Sequence, residues 1–213
     1  MNYLDSEEAA RLKVSVDRAK KGETFTFIDT IKTGDKTLYW QNMYSPIYNN
    51  RQKVIGVFCF VLDVTEQRVH ELEIQRMAYE DVLTRVHNRR YIELAFEECL
   101  MRKEERITVI ISDLDKFKEA NDTFGHATGD KILIEFGDIL TKIMPESAVI
   151  ARLGGDEFAI LLPGVSENQA EFLIKLVQAE MTLKDVGVTA SLGVYTDSYQ
   201  SHKNFVDFCA IAD

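Results

Sequence analysis

Two adjacent glycines followed by two acids limit most strongly what this chain can fold into. They stand in the run Arg152-Leu153-Gly154-Gly155-Asp156-Glu157-Phe158. Residues 147–151 before the glycines and 158–162 after them have the apolar, β-branched content of short strands. A glycine pair between two strands predicts a tight hairpin that needs positive φ or close backbone approach. The acids at its tip have no bulky neighbours, and this arrangement suits a metal ion and a phosphate ligand.

A second acidic site follows the apolar residues 107–111, where the sequence continues Ser112-Asp113-Leu114-Asp115-Lys116-Phe117-Lys118. A carboxylate at the end of a strand, where a helix begins, can hold a cation. The free backbone N–H groups of the turn then point at the anion. The alternative from local sequence alone is that Asp113 is only the N-cap of the next helix.

The charge balance excludes some classes of partner. The 213 residues carry 25 basic and 35 acidic side chains, which gives a net charge of −10. This charge argues against nonspecific binding to nucleic acid or to anionic lipid. An acidic protein also repels a nucleotide, unless carboxylates bind Mg²⁺ and the Mg²⁺ binds the phosphates. The alternative is that the negative charge only reflects a solvated surface and has no functional meaning.

Cysteine usage and hydropathy bear on location. The three cysteines, Cys59, Cys99 and Cys209, are far apart and odd in number, which favours a reduced, cytoplasmic compartment over a disulfide framework. The longest apolar run, residues 54–62, is about half of what a membrane-spanning helix needs. We therefore expect no membrane segment in this chain, and tethering by segments outside it stays open.

The chain divides into two different modules at 1–65 and 80–213, joined by a linking helix at 66–79 that Thr65 is predicted to cap. In the first module, apolar residues at helical spacing predict a helix over 6–20, which Gly22 ends. Three strand-like runs follow at 24–32, 36–46 and 54–63, with turns at Thr33-Gly34-Asp35 and Asn49-Asn50. A helix followed by a three-stranded meander is the prediction.

The second module alternates helices with strands. The pattern predicts helices at 89–102, 116–122, 128–144, 167–181 and from 203, strands at 107–113 and 187–196, and the hairpin over 147–163. This order predicts an α+β fold, with a sheet of the ferredoxin-like, palm-polymerase type.

Four motifs in fixed order carry a resemblance to a known family. They lie at residues 81–90, 112–118, 121–130 and 152–158. Together they resemble the GGDEF domains of diguanylate cyclases, which condense two GTP into cyclic di-GMP. The first module resembles the C-terminal half of a PAS sensor domain, through Gly34-Asp35 before Trp40 and the closing Asp63-Val64-Thr65-Glu66.

The resemblance implies a Mg²⁺ (or Mn²⁺) site and a catalytic group. Asp113, the carbonyl of Leu114, Asp156 and Glu157 would bind the metal. Asp156 and Glu157 would also take part in catalysis, and metal binding by Asp156 ranks above general-base work because a metal-bound carboxylate is a weak base. Lys118 would stabilise charge on the α-phosphate, and Phe158 would pack in the core.

The resemblance also implies a GTP site. Asn121 and Asp130 would read guanine, His126 would lie in the same pocket wall, and Phe117 and Lys118 would contribute at the phosphates. A carboxylate at position 130 favours guanine, because adenine offers an acceptor at N1 where guanine offers N–H. The alternative is a polar loop with a capping aspartate. The motif at 81–90 is interpreted as a turn that docks the linker and caps the next helix.

Two departures from the family pattern matter. The feedback site of the family has Arg-x-x-Asp where this chain has Pro145-Glu146-Ser147-Ala148, so product inhibition there is not expected. The family also continues beyond the point where this sequence stops at Asp213, with a helix whose Lys and Arg contact the phosphates. We therefore expect a C-terminally truncated GGDEF domain of weak activity.

Cyclisation needs two GTP that face each other, and one domain supplies half of such a site. A homodimer through the linking helix and the GGDEF domains is the natural solution. Two alternatives remain: a non-catalytic module that senses GTP or cyclic di-GMP, and a scaffold that signals by dimerisation. A surface helix packed on its own chain is the alternative for 66–79.

Overall fold

The computed structural model describes residues 6–34, 36–201 and 203–213, with side chains from residue 10 onwards. Asp35, part of the predicted first turn, lies outside the described residues. The chain divides into two compact units, Met1–Ile74 and Gln75–Asp213. Within the described residues, no helix is both long and apolar enough to cross a membrane.

The first unit is a helix followed by a three-stranded antiparallel meander, as predicted. Helix α1 (Ser6–Lys20) precedes β1 (Phe25–Thr33), β2 (Lys36–Tyr48) and β3 (Val54–Asp63), in the order β1-β2-β3. Alternate residues share a face of such a sheet. On one face the rings of Phe25, Phe27 and Tyr44 stack in parallel at 5.4–6.1 Å. The guanidinium of Arg18 lies 4.1 Å above the Phe25 ring and so links α1 to this face.

Helix α2 (Thr65–Tyr79) begins one residue before its predicted start. The predicted cap is wrong, because Thr65 is the first helical residue and its hydroxyl oxygen accepts the Tyr39 N–H at 2.8 Å. The Asp63 carboxylate accepts the Thr65 N–H instead, at 2.9 Å. No residue of α2 is buried.

The second unit has the predicted α+β architecture. It runs β4 (His87–Asn88), α3 (Arg89–Met101), β5 (Ile107–Leu114), α4 (Phe117–Phe124), α5 (His126–Ile143), β6 (Val149–Gly154), β7 (Glu157–Pro163), α6 (Glu167–Leu183), β8 (Ala190–Asp197) and α7 (Phe205–Ala212). The sheet order is β4-β6-β7-β5-β8. From β6 to β8 this is the ferredoxin-like order. Two elements were not predicted: β4, which pairs in parallel with β6, and a short 3₁₀ turn at Tyr199–Ser201.

Strand β5 is buried on both faces and separates two cores. Ile110 and Leu114 belong to the core that includes α5 and α6, whereas Ile107 and Val109 belong to the core that includes α3 and α7. The strand pairs with β7 on one side and β8 on the other. Its carboxyl end therefore opens in the middle of one sheet edge, which is where ligands bind in many α/β sheets.

Candidate active site

The end of β5 places an acid at that sheet edge. Asp113 is the penultimate strand residue and is exposed, whereas Leu114 is buried. Helix α4 begins only at Phe117, and its N-cap is Lys116. The interpretation of Asp113 as a helix N-cap is therefore wrong, and its carboxylate is left available to a ligand.

The structure brings Asp113 together with the acids of the hairpin. Partial loss of hydration raises the pKa of Asp113 most, and neighbouring negative charges raise it further: Asp156, Glu157, Asp115 and Asp213. Carboxylates that repel one another in this way are stabilised by a bound cation. Asp113, Asp156 and Glu157 are three of the predicted metal ligands.

The donor set fits a cation that is bound together with a nucleotide. Among the described residues, no three acidic, histidine or cysteine side chains meet closely enough to surround a metal ion by themselves. Mg²⁺ usually takes only one or two carboxylates from the protein, and substrate phosphates and water complete its shell. Carboxylate and carbonyl oxygens from Asp113, Leu114 and Asp156 match that requirement.

The predicted glycine hairpin is confirmed. Gly154 has φ 150° and pairs with Glu157, and Gly155 has φ 56°, in the left-handed region. A residue other than glycine would be strained at both positions. Behind the tip, the fully buried Phe158 packs edge-to-face against Phe136 at 5.0 Å, so its predicted core role is also confirmed.

Arg152 fastens the hairpin tip to the start of the domain. Its Nε and Nη2 both donate to the Gly155 carbonyl oxygen, at 2.8 and 2.6 Å, and its Nη1 donates to Asp81 Oδ1 at 3.2 Å. Asp81 Oδ1 also accepts the Thr84 N–H and hydroxyl, at 2.9 and 2.7 Å. Burial raises the pKa of Asp81, but these hydrogen bonds and the Arg152 charge outweigh it and lower the pKa.

Sequence reasoning missed this connection. No sequence pattern indicated a partner for Arg152 of the hairpin motif or for Asp81, the first residue of the motif at 81–90. The available signal was a cation two residues before the glycine pair, together with an acid in the turn that ends the linking helix. The predicted capping role of the entry motif is confirmed, because the Asn88 side chain accepts the Tyr91 N–H at 3.1 Å.

The predicted guanine residues lie on two adjacent helices, Asn121 on α4 and Asp130 on α5. Asn121 is close to Gly129, where an added Cβ would lie 2.0 Å from Asn121 Oδ1. That oxygen is buried and has no hydrogen-bond partner among the described residues. A buried acceptor without a partner is costly, so a donor from a ligand would relieve it. The helix N-cap alternative for Asp130 is wrong, because α5 begins four residues earlier.

The other predicted nucleotide contacts are solvent-facing or support the turn. Lys118, His126 and Asp130 are exposed, and within the described part of the chain no hydrogen bond or ion pair joins them to another side chain. Phe117 is partly buried and packs against the core beside α5 and α6. A cavity of about 1230 Å³ opens beside Asp113 but on the face of α4 away from Asn121. It therefore does not coincide with the predicted guanine site.

Comparison with known proteins agrees with this geometry. Residues 78–213 match the family described as diguanylate cyclase, GGDEF domain, and residues 2–69 match the PAS fold. The chain therefore belongs to the GGDEF family of diguanylate cyclases and carries a PAS-type segment before the GGDEF domain.

Individual relatives match either the larger part of the chain or nearly all of it. The diguanylate cyclase DgcS of Shewanella oneidensis is 33% identical over 57% of this chain and 43% of its own length. The uncharacterised protein y4lL of Sinorhizobium fredii is 32% identical over 98% of this chain and 26% of its own length. The chain thus spans less than half of either relative. The coiled coil and GGDEF domain of DgcB from Caulobacter crescentus, solved with c-di-GMP, has the same fold, with a TM-score of 0.64 at 24% identity over 70% of this chain and 84% of that one.

Proposed function

We propose that this chain condenses two GTP into cyclic di-GMP and two pyrophosphates, with Mg²⁺ or Mn²⁺, at the interface of a homodimer. The observation that carries the proposal is that Ser112 of the central strand pairs with Phe158, which places Asp113 beside Glu157 and the hairpin tip that carries Asp156. The family assignment and the cyclase DgcS support the same reaction.

The acids hold the cation in this mechanism. Asp113, the Leu114 carbonyl, Asp156 and Glu157 would hold the divalent ion. A bound Mg²⁺ supplies Lewis-acid chemistry, which acidifies the 3′-hydroxyl and neutralises the leaving pyrophosphate. Lys118 places a positive charge against the α-phosphate as negative charge develops there.

The helices bind and orient GTP. Asp130 accepts the N1–H and N2–H of guanine, Asn121 contacts the ring edge, and His126 lines the same wall. Phe117 and Lys118 lie where α4 begins, so the first N–H groups of that helix face the phosphates. Fixing both ends of GTP aims its 3′-hydroxyl at the partner domain, which lowers the entropic part of the barrier.

The domain organisation belongs to the same proposal. Residues 1–65 form a PAS-like sensor part, 66–79 a linking helix and 80–213 the GGDEF domain. Apolar side chains on α2 are exposed and would be covered by a second copy of the helix: Val69, Leu72, Ile74 and Met77. Dimerisation through α2 would bring the two half-sites together. A cytoplasmic location remains a prediction from composition.

A turnover assay tests the reaction. Concentrated protein is incubated with GTP and Mg²⁺, and the nucleotides are resolved by chromatography and mass. We expect cyclic di-GMP from the native chain and none from Asp156→Asn. Asp138→Asn, an exposed acid on α5, is the matched control and should retain activity. GTP binding without product would favour a sensing module, and no binding of GTP would contradict both.

A further inference from the structure

Asp115 connects the turn after β5 to the start of β8, and the proposed reaction gives it no role. Its backbone N–H donates to the Thr189 carbonyl oxygen at 2.9 Å. Its carboxylate accepts the Ser191 hydroxyl at 2.7 Å on one oxygen and the Thr189 hydroxyl at 2.5 Å on the other. Hydrogen bonds of hydroxyl groups to a carboxylate are among the stronger ones in proteins.

The turn that begins at Asp115 has an unfavourable backbone conformation and no side-chain cap on the helix that follows. Lys116 has φ 57° and ψ 24°, a left-handed conformation that L-residues other than Asn and Asp seldom adopt. As the N-cap of α4, Lys116 makes no side-chain hydrogen bond to the helix. The first N–H groups of α4 are thus left without the side-chain cap that would normally fix a helix start.

Phe117 and Ala120 pack on the core beside α5 and α6, but the rest of α4 has little packing on the β8 side. Helix α4 packs chiefly against α5. On its other side, the cavity of about 1230 Å³ separates Glu119, Thr123 and Phe124 of α4 from α6 and from the segment that leads into β8. The last paired residues of β5 and β8 are Leu114 and Ala190, and the hydrogen bonds of Asp115 extend this contact by one residue into the turn.

We propose that Asp115 is a positioning residue that fixes the phosphate-binding turn. By tying the turn to Thr189 and Ser191, it holds the Leu114 carbonyl and the first amides of α4 where the metal and the triphosphate need them. The inference rests on the proposed function, because it assigns those groups to the nucleotide. Groups that must stabilise a transition state are effective only when they are held in place beforehand.

Direct ligation of the metal by Asp115 is the competing role. Each carboxylate oxygen accepts one hydroxyl group and keeps a second lone-pair site that could bind a cation, so the experiment must separate the two roles. The two roles make different predictions. A ligand affects the metal requirement and leaves the apo turn unchanged, whereas a positioning residue affects the apo turn itself.

Two variants break the same connection from opposite sides. Asp115→Ala removes the carboxylate, and Thr189→Val combined with Ser191→Ala removes both hydroxyl donors. Asp138→Ala, an exposed acid on α5, controls for the loss of a negative charge. Thr189→Ser keeps a hydroxyl group and is the conservative variant.

Hydrogen–deuterium exchange of the nucleotide-free protein is the first measurement. We expect the hydrogen-bonded amides of Asp115 and Ala120 to exchange at least about tenfold faster in both disruptive variants, with α5 and α7 unchanged, since local opening sets exchange rates. Thr189→Ser and the control should match the native chain. Unchanged exchange of these two amides overturns the inference whatever the enzyme does.

Steady-state kinetics is the second measurement. Either disruption should lower kcat/KM for Mg·GTP about tenfold, and combining them should lower it no further, because both break one connection. Additive losses, or a raised Mg²⁺ requirement with normal exchange, would overturn the positioning role. A native chain without product contradicts the proposed function instead, and the exchange result still decides whether Asp115 holds the turn.

Discussion

At the scale of single residues, the proposed choice of nucleotide depends on hydrogen-bond donors and acceptors at two helices. Asn121 has a buried acceptor without a partner in the described structure, and Asp130 is an exposed carboxylate four residues into α5. The local pattern predicted Asn121 near the end of one helix and Asp130 near the start of the next. Only the structure shows Asn121 pressed against Gly129, which has no side chain to obstruct it.

The first prediction concerns Asp130→Ser. Removing the carboxylate removes an acceptor for the guanine N1–H and N2–H, and it also removes the repulsion of adenine N1. We expect the preference for GTP over ATP, as a ratio of kcat/KM, to fall roughly 10–100-fold, since a hydrogen bond to a charged group contributes about 1.5–3 kcal/mol. Competition between the two nucleotides measures it. Asp138→Ser on the same helix should leave the ratio unchanged, and an unchanged ratio in Asp130→Ser would show that another group reads the base.

At the scale of secondary-structure elements, the hairpin is held from two directions. Phe158 packs β7 into the core against Phe136. Arg152 donates hydrogen bonds both to the Gly155 carbonyl and to Asp81, in the motif at 81–90. The tip that carries Asp156 is therefore linked to the segment that follows α2. This contact offers a physical route by which a change at the linker would reach Asp156, one of the proposed metal ligands.

The second prediction follows from that link. The side chains of Arg152 and Asp81 are only 14% and 23% exposed, respectively. Arg152→Gln therefore leaves the mostly buried Asp81 carboxylate without its positive partner. We expect a loss of about 2 kcal/mol in the free energy of unfolding, measured with urea, and lower turnover. Arg102→Gln breaks a pair that is 71% and 57% exposed, so it should cost about 0–1 kcal/mol. Equal effects of the two substitutions would contradict the proposed importance of the hairpin link.

The third prediction concerns the attachment of α7 to β8. Lys203 Nζ donates to Asp197 Oδ2 at 2.8 Å and to the Tyr195 hydroxyl at 2.9 Å, and the Tyr195 ring packs against Phe208 of α7. The Lys203 and Tyr195 hydrogen bonds lower the pKa of Asp197 to about 2. Because the pKa of Asp197 is lower in the folded chain than its unfolded value of about 3.9, its ionised carboxylate stabilises the fold above about pH 4. This contribution is lost as the pH falls towards 2.

Lys203→Met should therefore lower the melting temperature at neutral pH, and the difference from the native chain should narrow as the pH falls from about 4 to 2. Thermal unfolding followed by circular dichroism at several pH values measures this. Lys175→Met removes an exposed lysine of α6. It is the control and should show no such pH dependence. A constant difference across that range would mean that Lys203 acts through packing and not through the charge of Asp197.

At the scale of the whole molecule, the proposed reaction needs two copies of the chain. Each domain supplies one set of acids and one guanine site, so a single copy has half of what cyclisation requires. Helix α2 has no buried residue and exposes four large apolar side chains. These positions do not form one heptad seam, as the sequence already indicated.

The fourth prediction is that activity depends on assembly through α2. Leu72→Glu or Met77→Glu places a charge on an exposed apolar position of the helix, so dimerisation should weaken about tenfold or more. Specific activity should fall at low protein concentration and recover at high concentration. Gln75→Glu adds the same charge at an exposed polar position and should have little effect. Sedimentation velocity alongside turnover measures both, and activity independent of concentration would exclude this route to the dimer.

The sequence by itself determined the elements and the class of fold. Periodicity and turn residues act over a few positions, so the strand at Val54–Asp63, the helix at Ser6–Lys20 and the Gly154-Gly155 hairpin were all predictable. The family resemblance implied that Asp113 and Asp156 act on one metal ion, and the structure has Asp113 near the end of β5 and Asp156 at the hairpin tip. That resemblance rests on the motif spacing.

Only the tertiary structure decided which distant residues hold the site in place. Arg152 and Asp81 are 71 positions apart, Asp115 and Thr189 are 74 apart, and the parallel pairing of β4 with β6 joins His87 to Ala151. No local pattern specifies such partners, because the neighbour of each residue depends on how the strands and turns are ordered in space. The residue types of the candidate site could therefore be predicted from the chain. The contacts that position those residues arise only from tertiary packing.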